Sequence, residues 1–262
     1  AAERFLVDDV ELTRARVALG RAGVSLPTRE VLRFGTAHAQ ARDAVHQALD
    51  VATLQADLRD AGFASLAAHS QATDRSMYLR RPDRGRSLAP ESLALLNTEG
   101  ARLWAPRPRL AVVLADGLSS LATARHGLPL LQALQPYFPD LGTLPVIIAS
   151  QARVALGDEI GQALGAEQVV VMIGERPGLS SPDSLGLYLT ARPRPGLTDA
   201  ERNCISNVRP EGLTYADAAR KLAFLIAGAL KLGRTGVDLK DDSDTGPALT
   251  DTAGPPRGLA AP

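Results

Sequence analysis

The chain has 262 residues with 29 basic and 29 acidic side chains, so its formal charge is zero, and 45% of its residues are hydrophobic. This balance provides no basic surface for nucleic acid or anionic lipid, and no apolar run approaches the roughly 18 to 20 residues of a membrane span. The single cysteine, Cys204, cannot form an internal disulfide, which indicates a reducing compartment. We therefore expect a globular protein without nucleic-acid or membrane partners.

Residues 1–100 are predicted to form an N-terminal helical region. Apolar residues recur at helical spacing from Pro27 to Leu49 and again from Val51 to Ala61. A shorter helix is expected from Pro90 to Leu96, with proline in its first turn. The apolar faces of such helices need a surface to cover them, so we expect this region to dock on a partner.

Residues 101–239 show strands and helices in alternation, which is typical of a parallel sheet with helices on both faces. Four strands are predicted, at Leu110–Ala115, Val146–Ser150, Val169–Ile173 and Leu185–Thr190. The predicted fold class is therefore α/β: a doubly wound, mainly parallel sheet with helices on both faces, preceded by the N-terminal helical region.

Three helices are expected among these strands. The first spans residues 119–138 and should be interrupted at Gly127 and Pro129, because proline breaks the helical hydrogen-bond ladder. The second runs from Val154 to a stop at Gly165, and the third opens at Thr214 and ends near Leu232. Residues 240–262 contain almost no bulky apolar side chain and are predicted to be a disordered tail.

Polar residues follow directly on the predicted strands. Right-handed crossovers place successive strand ends at one edge, so we expect Asp116, Arg153, Val154, Gly174 and Glu175 to lie together there. Ligands of open α/β sheets bind at this edge. The loop that begins at Gly174 carries an acid, a base, a proline and a second glycine, although a plain surface turn is the alternative.

Familiar enzyme motifs are missing from the sequence. There is no G-x-G-x-x-G after a strand, no Walker loop and no Ser-His-Asp spacing, and no histidine has a cysteine or carboxylate at metal-ligand spacing. No catalytic or metal-binding residue is predicted. One reading is a free-standing doubly wound protein that binds a nucleotide or small anion, with the basic loop 78–86 as a phosphate clamp; another is a non-catalytic assembly module.

Five segments form an ordered set along the chain. They are Tyr78–Arg86 (YLRRPDRGR), Leu110–Ser119 (LAVVLADGLS), Arg153–Gly165, Val170–Leu179 (VVMIGERPGL) and Cys204–Asn207 (CISN). In this order and spacing they resemble the small (light) subunit of ethanolamine ammonia-lyase, an adenosylcobalamin-dependent enzyme. The resemblance runs from about Pro27 to about Leu232.

The resemblance implies a lyase that converts ethanolamine to acetaldehyde and ammonia by a radical mechanism, in a hetero-oligomer with a large subunit that holds the substrate site. It implies that Val154, Glu175 and Cys204 contact adenosylcobalamin, so that residues 101–239 form the cobalamin-binding domain and one wall of the cofactor site. Ala152 stands where the family usually has glycine, which can shift the backbone before Val154. The implied location is the cytoplasm, with enclosure in a bacterial microcompartment left open.

Overall fold

Six strands build the sheet at the centre of the protein. The computed structural model describes residues 19–243, and its strands lie in the order β1-β3-β2-β4-β5-β6. They are β1 Ser65–His69, β2 Leu110–Ala115, β3 Val146–Ser150, β4 Gln168–Gly174, β5 Leu185–Ala191 and β6 Asn203–Val208. Strands β1, β3, β2 and β4 pair in parallel, whereas β5 is antiparallel to both β4 and β6. The α/β prediction is confirmed, with a mixed sheet.

Helices cover both faces of this sheet. The helices are α1 Thr28–His46, α2 Val51–Asp60, α3 Arg75–Arg80, α4 Pro90–Leu95, α5 Ala101–Leu103, α6 Ser120–Ala133, α7 Leu156–Leu164 and α8 Tyr215–Leu232. Between residues 19 and 243, no helix combines the length and the apolar character needed to cross a membrane.

The sheet separates two apolar cores. Alternate side chains of β2, such as Val112 and Leu114, pack with α2, α6 and α8 in the first core. Their neighbours Ala111 and Val113 face the second core, which includes residues of α7. Because the central strands are buried on both sides, their sequences are continuous apolar runs rather than alternating ones.

Two strands were not predicted. β1 lies within residues 1–100, for which only helices were expected, and it pairs in parallel with β3. β6 lies across the Cys204–Asn207 segment and pairs with β5. Each is a short strand at an edge of the sheet, so its conformation depends on pairing with one neighbour. That neighbour is β3 for β1 and β5 for β6. The domain boundaries at residues 100 and 239 stay predictions, and most of the predicted tail, residues 244–262, lies outside the described residues.

The predicted interruption of the helix after β2 is wrong. α6 is continuous from Ser120 to Ala133 and contains Pro129. The side chain of Ser119 caps its first turn, and the fully buried Leu130 and Leu131 pack in the first core. This packing offsets the single backbone hydrogen bond that proline cannot donate. By contrast, α7 ends as predicted at Gly165, which takes the left-handed conformation with φ 65°.

A buried ion pair fastens α7 to the β5–β6 side of the sheet. The guanidinium of Arg202 donates to both carboxylate oxygens of Asp158 at 2.6 and 2.7 Å, and both side chains are 2% exposed. Arg202 also donates to the hydroxyl of Thr190 at 2.9 Å. Burying the two charges costs desolvation free energy, which their mutual attraction and hydrogen bonds offset. Removing one partner leaves the other charge buried without a counter-charge.

We therefore expect Arg202→Met to lower the free energy of unfolding by about 3–5 kcal/mol, because Asp158 loses its counter-charge. Urea denaturation of the purified chain measures this. Arg194→Met is the control, since Arg194 is 61% exposed and its distance to Glu201 is 3.9 Å. An Arg202→Met protein within about 1 kcal/mol of wild type would show that the pair does not hold α7 in place.

Candidate functional site

The carboxyl ends of β3, β2 and β4 meet at one edge of the sheet, as predicted. Asp116, which follows β2 and is 1% exposed, accepts hydrogen bonds from the backbone N–H of Gln151 at 2.8 Å and of Ala152 at 2.9 Å. Gly117 lies against Gly174 so closely that a side chain would not fit. These contacts bring together the residues that follow three strands, and we call this region the strand-end edge.

Asp116 holds the turn after β3 rather than its own helix. The side chain of Ser119, and not that of Asp116, caps the first turn of α6. Burial raises the pKa of Asp116, and the hydrogen bonds from Ala152 and Gln151 oppose that rise. The carboxyl group is therefore a structural element of the strand-end edge.

Val154 lies at the entrance to α7. Its half-buried side chain packs against the second core, and its carbonyl accepts from the N–H of Gly157 at 3.0 Å. Within residues 19–243, no hydrogen bond is formed by the N–H of Val154 or Ala155. The alanine at position 152 fits without strain, because its side chain is fully buried in the second core and the left-handed conformation falls on Gln151, with φ 52°.

Glu175 begins the loop after β4, and only one of its two carboxylate oxygens has a hydrogen-bond donor. Oε2 accepts from the hydroxyl of Ser184 at 2.7 Å and from the N–H of Asn207 at 3.2 Å. Among the described residues no donor reaches Oε1, which lies over Gly186, where a Cβ would stand 3.0 Å away. The carboxylate is thus fixed by one oxygen while the other is available as an acceptor.

Cys204 lies on the exposed side of β6. It pairs with Tyr188 of β5, and its Sγ is 3.3 Å from the hydroxyl oxygen of Ser206. Burial raises the pKa of the Tyr188 hydroxyl, and the nearby Cys204 and Glu175 add to the rise. Cysteine is among the residue types most often buried, so an exposed lone cysteine on a sheet face suggests a surface that something else covers.

The three predicted residues occupy one side of the sheet. Tyr188 and Val154 pack against the same core, and directly paired residues such as Tyr188 and Cys204 project from the same face. We call the surface of Tyr188, Cys204 and Ser206 the open face; Glu175 and Val154 border it at the strand-end edge. Since β2 separates β3 from β4, the ends that carry Val154 and Glu175 lie about 10 Å apart.

This spread suits a broad, flat ligand better than a small substrate. Two clefts of about 600 and 670 Å³ lie elsewhere, one lined by His69, Ser70 and Arg84 and the other by residues around Gly165 and Gly233. Neither contains Val154, Glu175 or Cys204. Within the described ranges no group of three or more histidine, cysteine, aspartate or glutamate side chains is arranged to hold a metal ion.

Several residues of the site were not found from the sequence. Ser184 and Asn207 fix Glu175, and Tyr188 lies between Glu175 and Cys204. Each is an ordinary residue of a strand or loop with no local motif. Their proximity to Cys204 follows only from the pairing of β5 with β6, which places Tyr188 opposite Cys204.

The fold and the site define a class of protein: an α/β protein with a mixed sheet, one exposed sheet face, and polar groups spread along the strand-end edge. The chain belongs to the family described as "Ethanolamine ammonia-lyase light chain (EutC)", whose family model matches residues 8–240. The resemblance seen in the sequence is confirmed.

Similar proteins from several bacteria are named ethanolamine ammonia-lyase small subunit. The chain is 55% identical over 245 residues to the ethanolamine ammonia-lyase small subunit of Azotobacter vinelandii, covering 93% of this chain and 90% of the relative. It is 54% identical over 244 residues to that of Xanthomonas campestris pv. campestris strain B100, covering 92% and 89%. The small subunit of Pseudomonas fluorescens strain Pf0-1 is 55% identical over 234 residues, covering 88% and 85%.

Proposed function

We propose that this chain is the small subunit of an adenosylcobalamin-dependent ethanolamine ammonia-lyase and forms one wall of the cobalamin site together with the large subunit. The reaction is the conversion of ethanolamine to acetaldehyde and ammonia, in the cytoplasm or in a protein-shelled compartment within it. The observation that carries the proposal is the open face, where the lone Cys204 is exposed next to a half-satisfied Glu175 in a member of this family.

The residues present fit a corrin ligand. A corrin ring is broad and is edged by amide groups, which both donate and accept hydrogen bonds. Among residues 19–243, Glu175 Oε1 has no donor, and the N–H groups of Val154 and Ala155 have no acceptor. Tyr188 and Cys204 add apolar contact area between these polar points. The chain thus offers both hydrogen-bond donors and a hydrogen-bond acceptor on one side of the sheet.

This chain's residues bind and orient rather than transfer protons. When bound, adenosylcobalamin supplies the radical that abstracts hydrogen from the amino alcohol. Ser184 and Asn207 hold the carboxylate of Glu175 in place before any ligand arrives, which reduces the ordering cost of binding. The open face excludes water from one side of the ligand, and we assign the substrate site to the large subunit.

An exposed face of this kind would form only half of a binding site. Ligand pockets usually bury most of a ligand's surface, about 70–90% for drug-sized molecules, and the open face alone cannot do so. The name small subunit given to the relatives implies a larger companion. We propose that a hetero-oligomer with that large subunit closes the site.

We further propose that docking of the N-terminal helical region on the large subunit involves α1. Two large apolar side chains of this helix, Val31 and Leu32, are 52% and 66% exposed. α2 and β1 are different, because Leu54 and Leu58 are buried in the first core and β1 pairs with β3. Among the described helices predicted for docking, α1 therefore exposes more large apolar side chains than α2 or α4, in which Leu93 is 40% exposed.

Partner dependence tests the proposed function. We expect the purified chain to bind hydroxocobalamin weakly in equilibrium dialysis, and the affinity to rise by at least about tenfold when the large subunit is added, because the second wall supplies the missing burial. Dialysis against ATP serves as the comparison. Equal cobalamin affinity with and without the large subunit would contradict a shared site, and tight ATP binding by the chain alone would favour the free-standing nucleotide-binding alternative.

The role of Glu175 is tested by Glu175→Gln in the reconstituted holoenzyme. Glutamine keeps one oxygen for Ser184 and Asn207, so its amide nitrogen takes the place of the accepting Oε1. We expect a loss of about 1–3 kcal/mol, which is roughly 5- to 150-fold weaker cobalamin binding. The KM for ethanolamine should change little, and Glu175→Ala should be at least as damaging.

Glu167→Gln is the matched control, because Glu167 precedes β4 whereas Glu175 follows it, so the two lie at opposite ends of one strand. Glu167 is 58% exposed. If both Glu175 variants bind cobalamin as tightly as wild type and the Glu167 control, Glu175 is a turn residue and its loop does not face the cofactor.

A further inference from the structure

The turn between β3 and α7 is held at almost every backbone polar group. The N–H groups of Gln151 and Ala152 both donate to Asp116. The carbonyl of Gln151 accepts from the hydroxyl of Ser70 at 2.7 Å, and the carbonyl of Ala152 accepts from the hydroxyl of Tyr78 at 3.2 Å. Gln151 is not glycine yet has φ 52°, a conformation that persists only where the surroundings enforce it.

The next residues continue the same pattern until Val154. The N–H of Arg153 donates to the carbonyl of Gly85 at 2.8 Å, and its carbonyl accepts from the N–H of Leu156 at 2.9 Å. Then the N–H of Val154 makes no hydrogen bond within the described residues. A turn fixed so completely therefore ends in a backbone donor that is presented at the strand-end edge.

Tyr78 is itself held rigidly. Its side chain is fully buried, with its ring between the guanidinium groups of Arg75 at 4.6 Å and Arg153 at 4.2 Å from the ring centroid. Arg75 also lies 3.5 Å from Asp116, and its side chain is 11% exposed. One cluster of two arginines, a tyrosine and an aspartate thus holds both sides of the turn.

Gly85 shows how tightly this cluster is packed. A Cβ at Gly85 would stand 3.0 Å from side-chain atoms of both Arg153 and Tyr78, and 3.1 Å from the carbonyl of Gln151. The segment Tyr78–Arg86 therefore packs Tyr78 and Gly85 against the turn, whereas the arginines of the segment, such as Arg84, are exposed. The phosphate clamp that was considered for the arginines of this segment stays a prediction.

We propose that Tyr78 and Asp116 are positioning residues for the cofactor: they fix the Gln151–Val154 turn so that the N–H of Val154 donates a hydrogen bond to an amide carbonyl of the corrin. This inference rests on the proposed function. It adds to it two residues that touch no ligand and act through the backbone of Val154.

The test uses the holoenzyme reconstituted with the large subunit and hydroxocobalamin as the ligand, followed by absorbance. Tyr78→Phe removes only the hydroxyl that bonds to Ala152 and leaves the ring between the arginines, so we expect cobalamin binding about 2- to 10-fold weaker. In Asp116→Asn, an amide nitrogen replaces one of the two oxygens that accept from the backbone, so one backbone N–H then faces another donor. We expect cobalamin binding to be about 5- to 150-fold weaker. Subunit assembly and the KM for ethanolamine should match wild type.

Tyr137→Phe is the control, because Tyr137 is partly buried in the first core on the other side of the sheet. The mechanism is tested by Val154→Pro, which lacks the N–H, against Val154→Ala, which keeps it. Proline should weaken cobalamin binding more than alanine, and adding Tyr78→Phe to Val154→Pro should weaken it no further, since both changes remove the same interaction.

Three results would overturn the proposal: unchanged cobalamin affinity in Tyr78→Phe, equal affinities for Val154→Pro and Val154→Ala, or a Tyr78→Phe effect that is as large in the Val154→Pro background as in wild type. If Glu175→Gln weakens binding while Tyr78→Phe does not, the positioning role fails and the proposed function stands. If the wild-type holoenzyme does not bind hydroxocobalamin, both fail.

Discussion

The buried carboxyl group of Asp116 is the interaction on which the strand-end edge depends. It lies at the end of β2 in the middle of the sheet and accepts hydrogen bonds from two N–H groups of the turn after β3. Burying such a group is costly unless its hydrogen bonds are made, and here Gln151 and Ala152 supply them. The guanidinium of Arg75, 3.5 Å away, adds an ion pair. Together with the bonds from Ser70 and Tyr78, this contact fixes the turn that leads to Val154 and α7.

The other half of the site depends on the two antiparallel strands. A purely parallel sheet would be covered on both faces. Helix α8 packs on one face of β5 and β6, whereas Cys204 and Ser206 on the other face are exposed. β6 also brings Asn207 to the carboxylate of Glu175. A face of this kind is a disadvantage for a protein that acts alone and an asset for a subunit, which agrees with membership of the light chain family.

Sequence reasoning found what local pattern determines. β2 and β4 are fully buried apolar runs, and their positions and the meeting of their ends at one edge follow from that burial and from crossover handedness. β1 and β6 were missed because edge strands are defined by their partners rather than by their own residues. Pro129 was misjudged because tertiary packing outweighed its local effect on the helix.

The site shows the same limit. Val154, Glu175 and Cys204 were named through a family resemblance. Of the side chains that hold them in place, Asp116 was expected at this edge, whereas Ser70, Tyr78 and Ser184 were not. Ser70 reaches a carbonyl 81 residues away in sequence and Tyr78 reaches one 74 residues away, so no local spacing reveals either contact. Such supports become visible only when the fold brings distant segments together.

The central claim is that the open face becomes covered when the large subunit and the cofactor are in place. The most direct measurement is the rate at which iodoacetamide alkylates Cys204, the only cysteine of this chain, followed by the mass of the peptide that contains it. The account predicts ready alkylation of the isolated chain and strong protection in the holoenzyme loaded with hydroxocobalamin. An unchanged rate in the loaded holoenzyme would show that the open face is not part of the cobalamin site.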